Sequence, residues 1–299
     1  MPSPIQASPR LARTNAPGSK AHTEVLISLL EDDSPVVLAE VRGELERQGK
    51  AAHPALKRAA RSGRARVRGR ARQILLDDAR RRHVRRLIRY ASRSEHNLEK
   101  ALFLLDRHAN PRADTRPHRR VLDVMGNKLH TRVRVLTPGE PRVAALVQFL
   151  ASDMGFAGSD EDYHHPSNIF LSDAIERRTG MPLTLCAIYA FTARRAGLQA
   201  GLLPLPGHVL LAVHEAGRRY ILDPFGGGKL LDKHHCAGYL AAHELPYSDE
   251  YLRDASDTHM LLRHVSNLVH SCKLRGRWRD ARDLAQVQAV LRDYEDGVS

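Results

Sequence analysis

The sequence predicts an α+β protein, mostly helical, with one small antiparallel sheet in its middle. Three observations predict it. Apolar residues recur at helical spacing over most of the chain from His22 onward. Short apolar or alternating runs, QAGLLPL, HVLLAVH and RRYILDPF, lie close together between Gln199 and Phe225 and are separated by PG and EAG turns, the punctuation of hairpins. The stretch from Leu183 to Ala193 is apolar nearly all round, the pattern of a helix buried on every side. Helices segregated around a single antiparallel sheet define the class.

The elements follow in order. Residues 1–20 are rich in Pro, Ser, Gly and Ala without periodicity and are expected to form a disordered tail. Over 21–95, EVLISLL is stopped by DDSP, VVLAEVRGELERQG ends on Gly49, and a Ser-Gly break at Ser62 and Gly63 precedes a long basic helix. Short helices alternating with tight breaks resemble a HEAT-type pair, with too few units for a solenoid. The region 96–232 holds the core with its leading helices: HNLEKALFLLDRHA, a proline-rich loop, RRVLDVMGNKLHTRV, and PRVAALVQFLASDMGF with Val143, Leu146, Val147 and Leu150 on one face. The sheet follows. PFGGGK after it lacks the hydroxyl residue and spacing of a phosphate loop and reads as a turn. Over 233–299 two helices joined at Gly276 form a hairpin similar to a tetratricopeptide unit.

At 299 residues and 42% hydrophobic, the chain can bury one large core or two smaller ones. No apolar run approaches the roughly 20 residues of a membrane helix, and the first residues lack the apolar middle of a secretory signal. A cytoplasmic address without a membrane is expected. Cys186, Cys236 and Cys272 are too few and too scattered for a disulfide framework and are expected as thiols. The net charge of +13 is localised: between Lys57 and Arg93 the chain carries a dense arginine run against only Asp77 and Asp78. Such a run is either a solvated helix face or a contact surface for nucleic acid or another polyanion, and with only Tyr90 and Phe103 nearby it offers little for base stacking.

Cys186, His208 and Asp223 occur in that order, on a buried helix, at a strand start and at a strand end. The pieces from Gly155 to Leu198 (with ERRTGMP), PLPGHVLLAV and YILDPFGGG resemble the transglutaminase-like proteins of the SirB type, and the resemblance extends over roughly 21–291. It implies a papain-type, transglutaminase-like α+β core flanked by helices. In active members of that superfamily a cysteine attacks an amide or ester carbonyl, a histidine moves the proton, and an aspartate orients the imidazole. His208 and Asp223 match the last two. The family pattern puts the cysteine two residues after a glycine, and here Pro182 stands in that place, after Gly180. Cys186 lies one turn deeper, where the helix dipole does less to lower a thiol pKa.

Each residue also has a structural explanation. A cysteine on an apolar helix is commonly a small core residue, His208 can close its Pro-Gly turn, and Asp223 can initiate one before Pro224. Tyr163 and Asn168 are further cleft candidates on sequence proximity alone. His164, His165, His234 and His235, with Cys236, lack the spacing of a zinc site and the histidines are expected as exposed loop residues, so neither metal nor organic cofactor is expected. The expected function is a noncatalytic regulator or scaffold that binds a protein or peptide partner. The alternative is a cysteine-dependent acyl transferase or amide hydrolase using Cys186, His208 and Asp223.

Overall fold

The computed structural model describes residues 19–109, 113–159 and 161–298. The tail expected over 1–20 lies outside them up to residue 18. Ser19 caps the first helix and Lys20 opens it. The chain divides into two compact units at His83 and Val84.

In the first unit, α1 (Lys20–Ser28), α2 (Pro35–Gln48), α3 (His53–Ala59) and the residues of α4 (Ala65–Ala91) up to His83 surround Leu30, Leu45, Leu56 and Val67. The DDSP stop works as its chemistry dictates. Asp32 Oδ1 accepts the Ser34 N–H at 2.7 Å, Ser34 Oγ caps α2, and Pro35 takes the first helical position. Gly49 ends the helix at φ +55°, a conformation costly to any residue with a Cβ. Many arginines of this unit are engaged: Arg66 pairs with Asp33 at 2.7 Å, Arg81 with Glu46 at 2.8 Å, and Arg70 donates to the Leu30 and Asp32 carbonyls.

The second unit is built on the helix that the sequence makes apolar on all sides. After α5 (Leu98–Ala109), α6 (Arg116–Val133), α7 (Glu140–Val147) and a π turn over 148–153, the chain forms β1 (Ala157–Gly158), α8 (Pro166–Ile169), α9 (Leu171–Arg177) and β2 (Thr179–Gly180). Then α10 (Pro182–Arg195) is buried from Pro182 to Ala193. Helix α6 packs against it closely because residue 126 is glycine; a Cβ there would overlap the Arg195 side chain. Arg195 in turn makes two parallel hydrogen bonds to Glu99, at 2.7 and 2.8 Å, and one to Asp123 at 2.8 Å, tying α5 and α6 to α10. Asp106 on α5 caps α9 by accepting the N–H groups of Leu171 and Ser172, both at 2.9 Å.

The sheet runs β3 (Gln199–Leu203), β4 (Leu210–Glu215), β5 (Arg218–Asp223) and β6 (Lys229–Leu231), antiparallel and in sequence order. Its side chains alternate between two cores. Leu202, Leu211, Val213, Tyr220 and Leu222 face the cluster around α10, while Leu203, Leu210, Ala212 and Ile221 join Cys236 and Leu240 of α11 (Lys233–Ala242). Burial of both faces explains why these strands read as near-continuous apolar runs. Helices α12 (Asp257–Leu274) and α13 (Trp278–Val298) close the unit as a hairpin.

The arrangement is the expected α+β class, and three details differ from expectation. The strand β6 follows the glycine turn directly, and β1 pairs with β2 in parallel, Ala157 with Thr179 and Gly158 with Gly180. Two-residue strands leave no periodicity to read. His234 and His235 lie in the first turn of α11, exposed as expected but on a helix begun by the Asp232 cap, while His164 and His165 are half-buried.

His264 on α12 is fully buried, and neither ring nitrogen has a hydrogen-bond partner among the described residues. Burial holds its pKa down at about 3, so the folded protein keeps the ring neutral. The unfolded chain takes up the proton near the ordinary value of 6.5. Stability tied to this group is therefore complete above pH 6.5 and lost as pH falls toward 3. His264→Leu is expected to gain about 2 kcal/mol on the native chain between pH 7 and pH 4.5 in urea unfolding. A difference that does not change with pH would contradict this assignment.

Candidate functional site

The site forms where the start of β4, the end of β5 and the first turns of α10 meet. Leu205, Pro206, Gly207 and His208 make a tight turn in which the His208 N–H donates to the Leu205 carbonyl at 3.0 Å. Gly207 adopts φ +72°, and a Cβ there would sit 3.0 Å from the Tyr239 hydroxyl, so the turn needs glycine on both counts. Arg263 of α12 donates from Nη2 to the carbonyls of Leu205 and His208, each at 3.0 Å. These bonds fix the backbone that presents the imidazole.

His208 Nε2 donates to Asp223 Oδ1 at 3.1 Å. A carboxylate only accepts, so the contact places a proton on Nε2. Asp223 also accepts the Phe225 N–H at 3.0 Å. Burial works to raise the Asp223 pKa, but the His208 hydrogen bond and charge, with backbone N–H groups of Gly226 and Phe225, hold it below the ordinary carboxylate range. The pair is mostly covered, with side-chain exposures of 14% for His208 and 20% for Asp223. Phe225 meets the imidazole edge-on at 6.0 Å, and Tyr239 lies tilted against it at 5.7 Å. Tyr163 packs edge-on against Phe225 at 5.9 Å.

Cys186 has a different environment. It is wholly buried on α10, and its Sγ–H donates to the Val209 carbonyl at 3.2 Å. Burial first, and then the Asp223 carboxylate, push the thiol pKa well above its ordinary value. The sulfur is a neutral donor facing a strand carbonyl. At the start of the helix Met181 is extended and Pro182 occupies the first turn, so the position nearest the helix dipole carries a ring without a nucleophile.

The structure thus brings His208 and Asp223 into direct contact and sets Cys186 in the core behind them. Tyr163 reaches the same aromatic cluster. Asn168 does not, because its side chain is buried, donating to the carbonyls of Asp162 and Tyr163 and accepting from Arg177 at 2.9 Å. Its role is to hold the loop before α8. Sequence reasoning missed Tyr239 and Arg263. The only signal for Arg263 is a cation inside the apolar face HMLLRHV. Among the described residues, no three His, Cys, Asp or Glu side chains are grouped to hold a metal, and no helix is long and apolar enough to cross a membrane.

A buried central helix, an antiparallel sheet on one side and a His-Asp pair at the strand ends define a transglutaminase-like domain. The model of the transglutaminase-like superfamily matches residues 117–266, half of the chain, and the chain belongs to that superfamily. It is similar to the UPF0162 protein of Xylella fastidiosa strain 9a5c, with 29% identity over 143 residues that cover 46% of this chain and 51% of that one. The UPF0162 protein of Vibrio cholerae is 27% identical over 106 residues, 35% of this chain and 39% of that one. F-box only protein 21 of Mus musculus is 28% identical over 107 residues, 33% of this chain and 17% of the mouse protein. The chain spans about half or less of the length of these curated relatives. No solved structure matches it.

The glycine at 158 gives a direct handle on the site. Gly158 N–H donates to the Phe225 carbonyl at 3.1 Å, and a Cβ at 158 would stand 2.5 to 2.7 Å from the Phe225 ring. Gly158→Ala is expected to destabilise the fold by about 1–3 kcal/mol and to shift the His208 ring resonances through the displaced Phe225. Unchanged His208 signals in the NMR spectrum of a destabilised Gly158→Ala protein would show that Phe225 does not set the imidazole environment.

Proposed function

We propose that this chain is a SirB-type transglutaminase-like protein that works without covalent catalysis, as a cytoplasmic regulator or scaffold. In this reading the surface beside His208 and Asp223 binds a peptide segment of a protein partner. The observation that carries it is the state of Cys186, a fully buried thiol bonded to the Val209 carbonyl and pushed away from ionisation. An acyl-transfer nucleophile needs the opposite: access to a carbonyl carbon and a populated thiolate. Tyr163, Phe225 and Tyr239 supply aromatic surface, and the imidazole of His208 supplies a polar group. The HEAT-like helices over 21–95 and the tetratricopeptide-like hairpin within 233–299 are further docking surfaces in this reading. A related stretch covering 17% of F-box only protein 21 supports a module that serves inside chains of other design.

The His208–Asp223 hydrogen bond favours a second reading, cysteine-dependent acyl transfer or amide hydrolysis by Cys186, His208 and Asp223. That reaction requires Cys186 to surrender its proton to His208 and swing out of the core.

One thiol distinguishes the two. On the full chain near neutral pH, iodoacetamide is expected to alkylate Cys186 no faster than Cys236 or Cys272, and His208→Ala is expected to leave that rate unchanged, read by peptide mass mapping. Amine incorporation into a casein acceptor is expected to stay at background. Incorporation that disappears in Cys186→Ser would overturn the noncatalytic reading and establish the enzymatic one.

A further inference from the structure

The arginine run seen in the sequence is not one surface. In the first unit, arginines from Arg58 to Arg82 are largely engaged. Arg58, Arg64, Arg66, Arg81 and Arg82 pair with Glu24, Glu31, Asp33, Glu46 and Asp78, and Arg68, Arg70 and Arg72 donate to backbone carbonyls. From Arg86 onward, within the second unit, the pattern changes. Arg86, Arg89 and Arg93 recur every three or four residues and so share one side of the chain as α4 ends. With Lys100 of α5 and Arg119 of α6 they line a cavity of about 350 Å³. Among the described residues, none of these five has a carboxylate within ion-pair distance and no carboxylate lines the cavity.

The acids on the same elements are committed elsewhere. Glu99 and Asp123 are taken by Arg195, Asp106 caps α9, Asp114 is bound to Arg116, and Glu95 lines a separate cavity with His96 and Thr258. These five cations, with Arg107 as a sixth basic residue on the lining, therefore converge on one concavity that no carboxylate lines among the described residues. A concave site of one charge sign focuses its field and raises the local concentration of the opposite ion. Guanidinium groups are suited by geometry to phosphate oxygens, which they bind through parallel hydrogen bonds.

We propose that this cavity is a binding site for a compact, multiply charged phosphate group, a phosphate chain free or carried on a small molecule. A nucleic-acid strand fits the site less well. The cations surround a cavity instead of following a track, and the two aromatic rings are already covered. Tyr90 and Phe103 are 7% and 1% exposed, with the Arg93 and Arg119 guanidinium groups over their rings at 5.2 and 5.0 Å. No free ring face remains for a base to stack on. The site is independent of Cys186, His208 and Asp223.

Calorimetric titration of the full chain with tripolyphosphate at low salt tests the proposal. Saturable binding is expected, weakened about tenfold or more by Arg89→Glu with Arg119→Glu and less than about twofold by Arg64→Gln with Arg66→Gln, two arginines that have carboxylate partners. Melting curves check that the variants stay folded, and Arg89→Lys with Arg119→Lys keeps the charge should the glutamates unfold the chain; a partial loss of affinity is then expected. Adenosine triphosphate separates the sources. Affinity equal to that of tripolyphosphate assigns a bare phosphate chain, and tighter binding with the same arginine dependence assigns a nucleotide. Absence of tripolyphosphate binding, equal loss in the Arg64 and Arg66 variant, or duplex DNA binding that tripolyphosphate does not displace overturns the proposal.

Discussion

A helix without a wet face is the constraint on which the second unit depends. From Pro182 to Ala193, α10 has no side that can meet water, so neighbours must cover it all round. Helix α6 and the sheet strands β3 and β4 pack against it, and α9 precedes it in the same core. The contact with α6 is possible only because Gly126 leaves room for Arg195, whose hydrogen bonds to Glu99 and Asp123 then hold α5 and α6 in place. Cys186 inherits the same constraint. A side chain in the middle of such a helix is a core residue before it is anything else, and its thiol satisfies itself on the nearest strand carbonyl, that of Val209.

The His-Asp pair obeys different physics. Its members come from the ends of strands, where the chain leaves the core, and each is held by backbone groups. The Gly207 turn and the Arg263 guanidinium fix the His208 backbone, while the Phe225 N–H and the imidazole orient Asp223. The charge of that carboxylate has a consequence for the sulfur. Asp223 accepts the His208 Nε2–H, and its charge also opposes ionisation of Cys186. The orienting residue of a triad helps a thiolate only through an imidazolium placed between them. With the sulfur bonded to Val209, the carboxylate field acts on it as a penalty.

Much of this was legible in the sequence, and the rest has definite reasons for being hidden. The α+β class followed from the helical periodicity and from short apolar runs between Gly and Pro turns, because periods of 3.6 and 2 are written residue by residue. His208 and Asp223 were legible because PGH and LDPF, in that order, resemble the transglutaminase-like pattern. The strands β1 and β2 were missed because two residues carry no period, and β6 because Gly226, Gly227 and Gly228 dominate the local pattern. Asn168 was a plausible cleft residue by proximity, yet its side chain is consumed by the loop it stabilises. Arg263 and Tyr239 could not be assigned from local motifs, since their place beside His208 is set by the packing of α12 and α11 and not by neighbours in the chain.

The charge distribution teaches a related lesson about what a count of charges means. A net charge of +13 concentrated near one run suggests a single basic surface. In the folded chain an arginine matters for binding only if the fold has not already given it an acid or a carbonyl. Glu24, Glu31, Asp33 and Glu46 lie before the run in sequence, so no scan of the run itself reveals that they neutralise much of it. On α5, on α6 and between them, the carboxylates are drawn off by Arg195, by the cap of α9 and by Arg116. Cations without an ion pair are thereby gathered around one cavity, and the same Arg195 that binds α5 and α6 to the central helix is what leaves Glu99 and Asp123 unavailable to it.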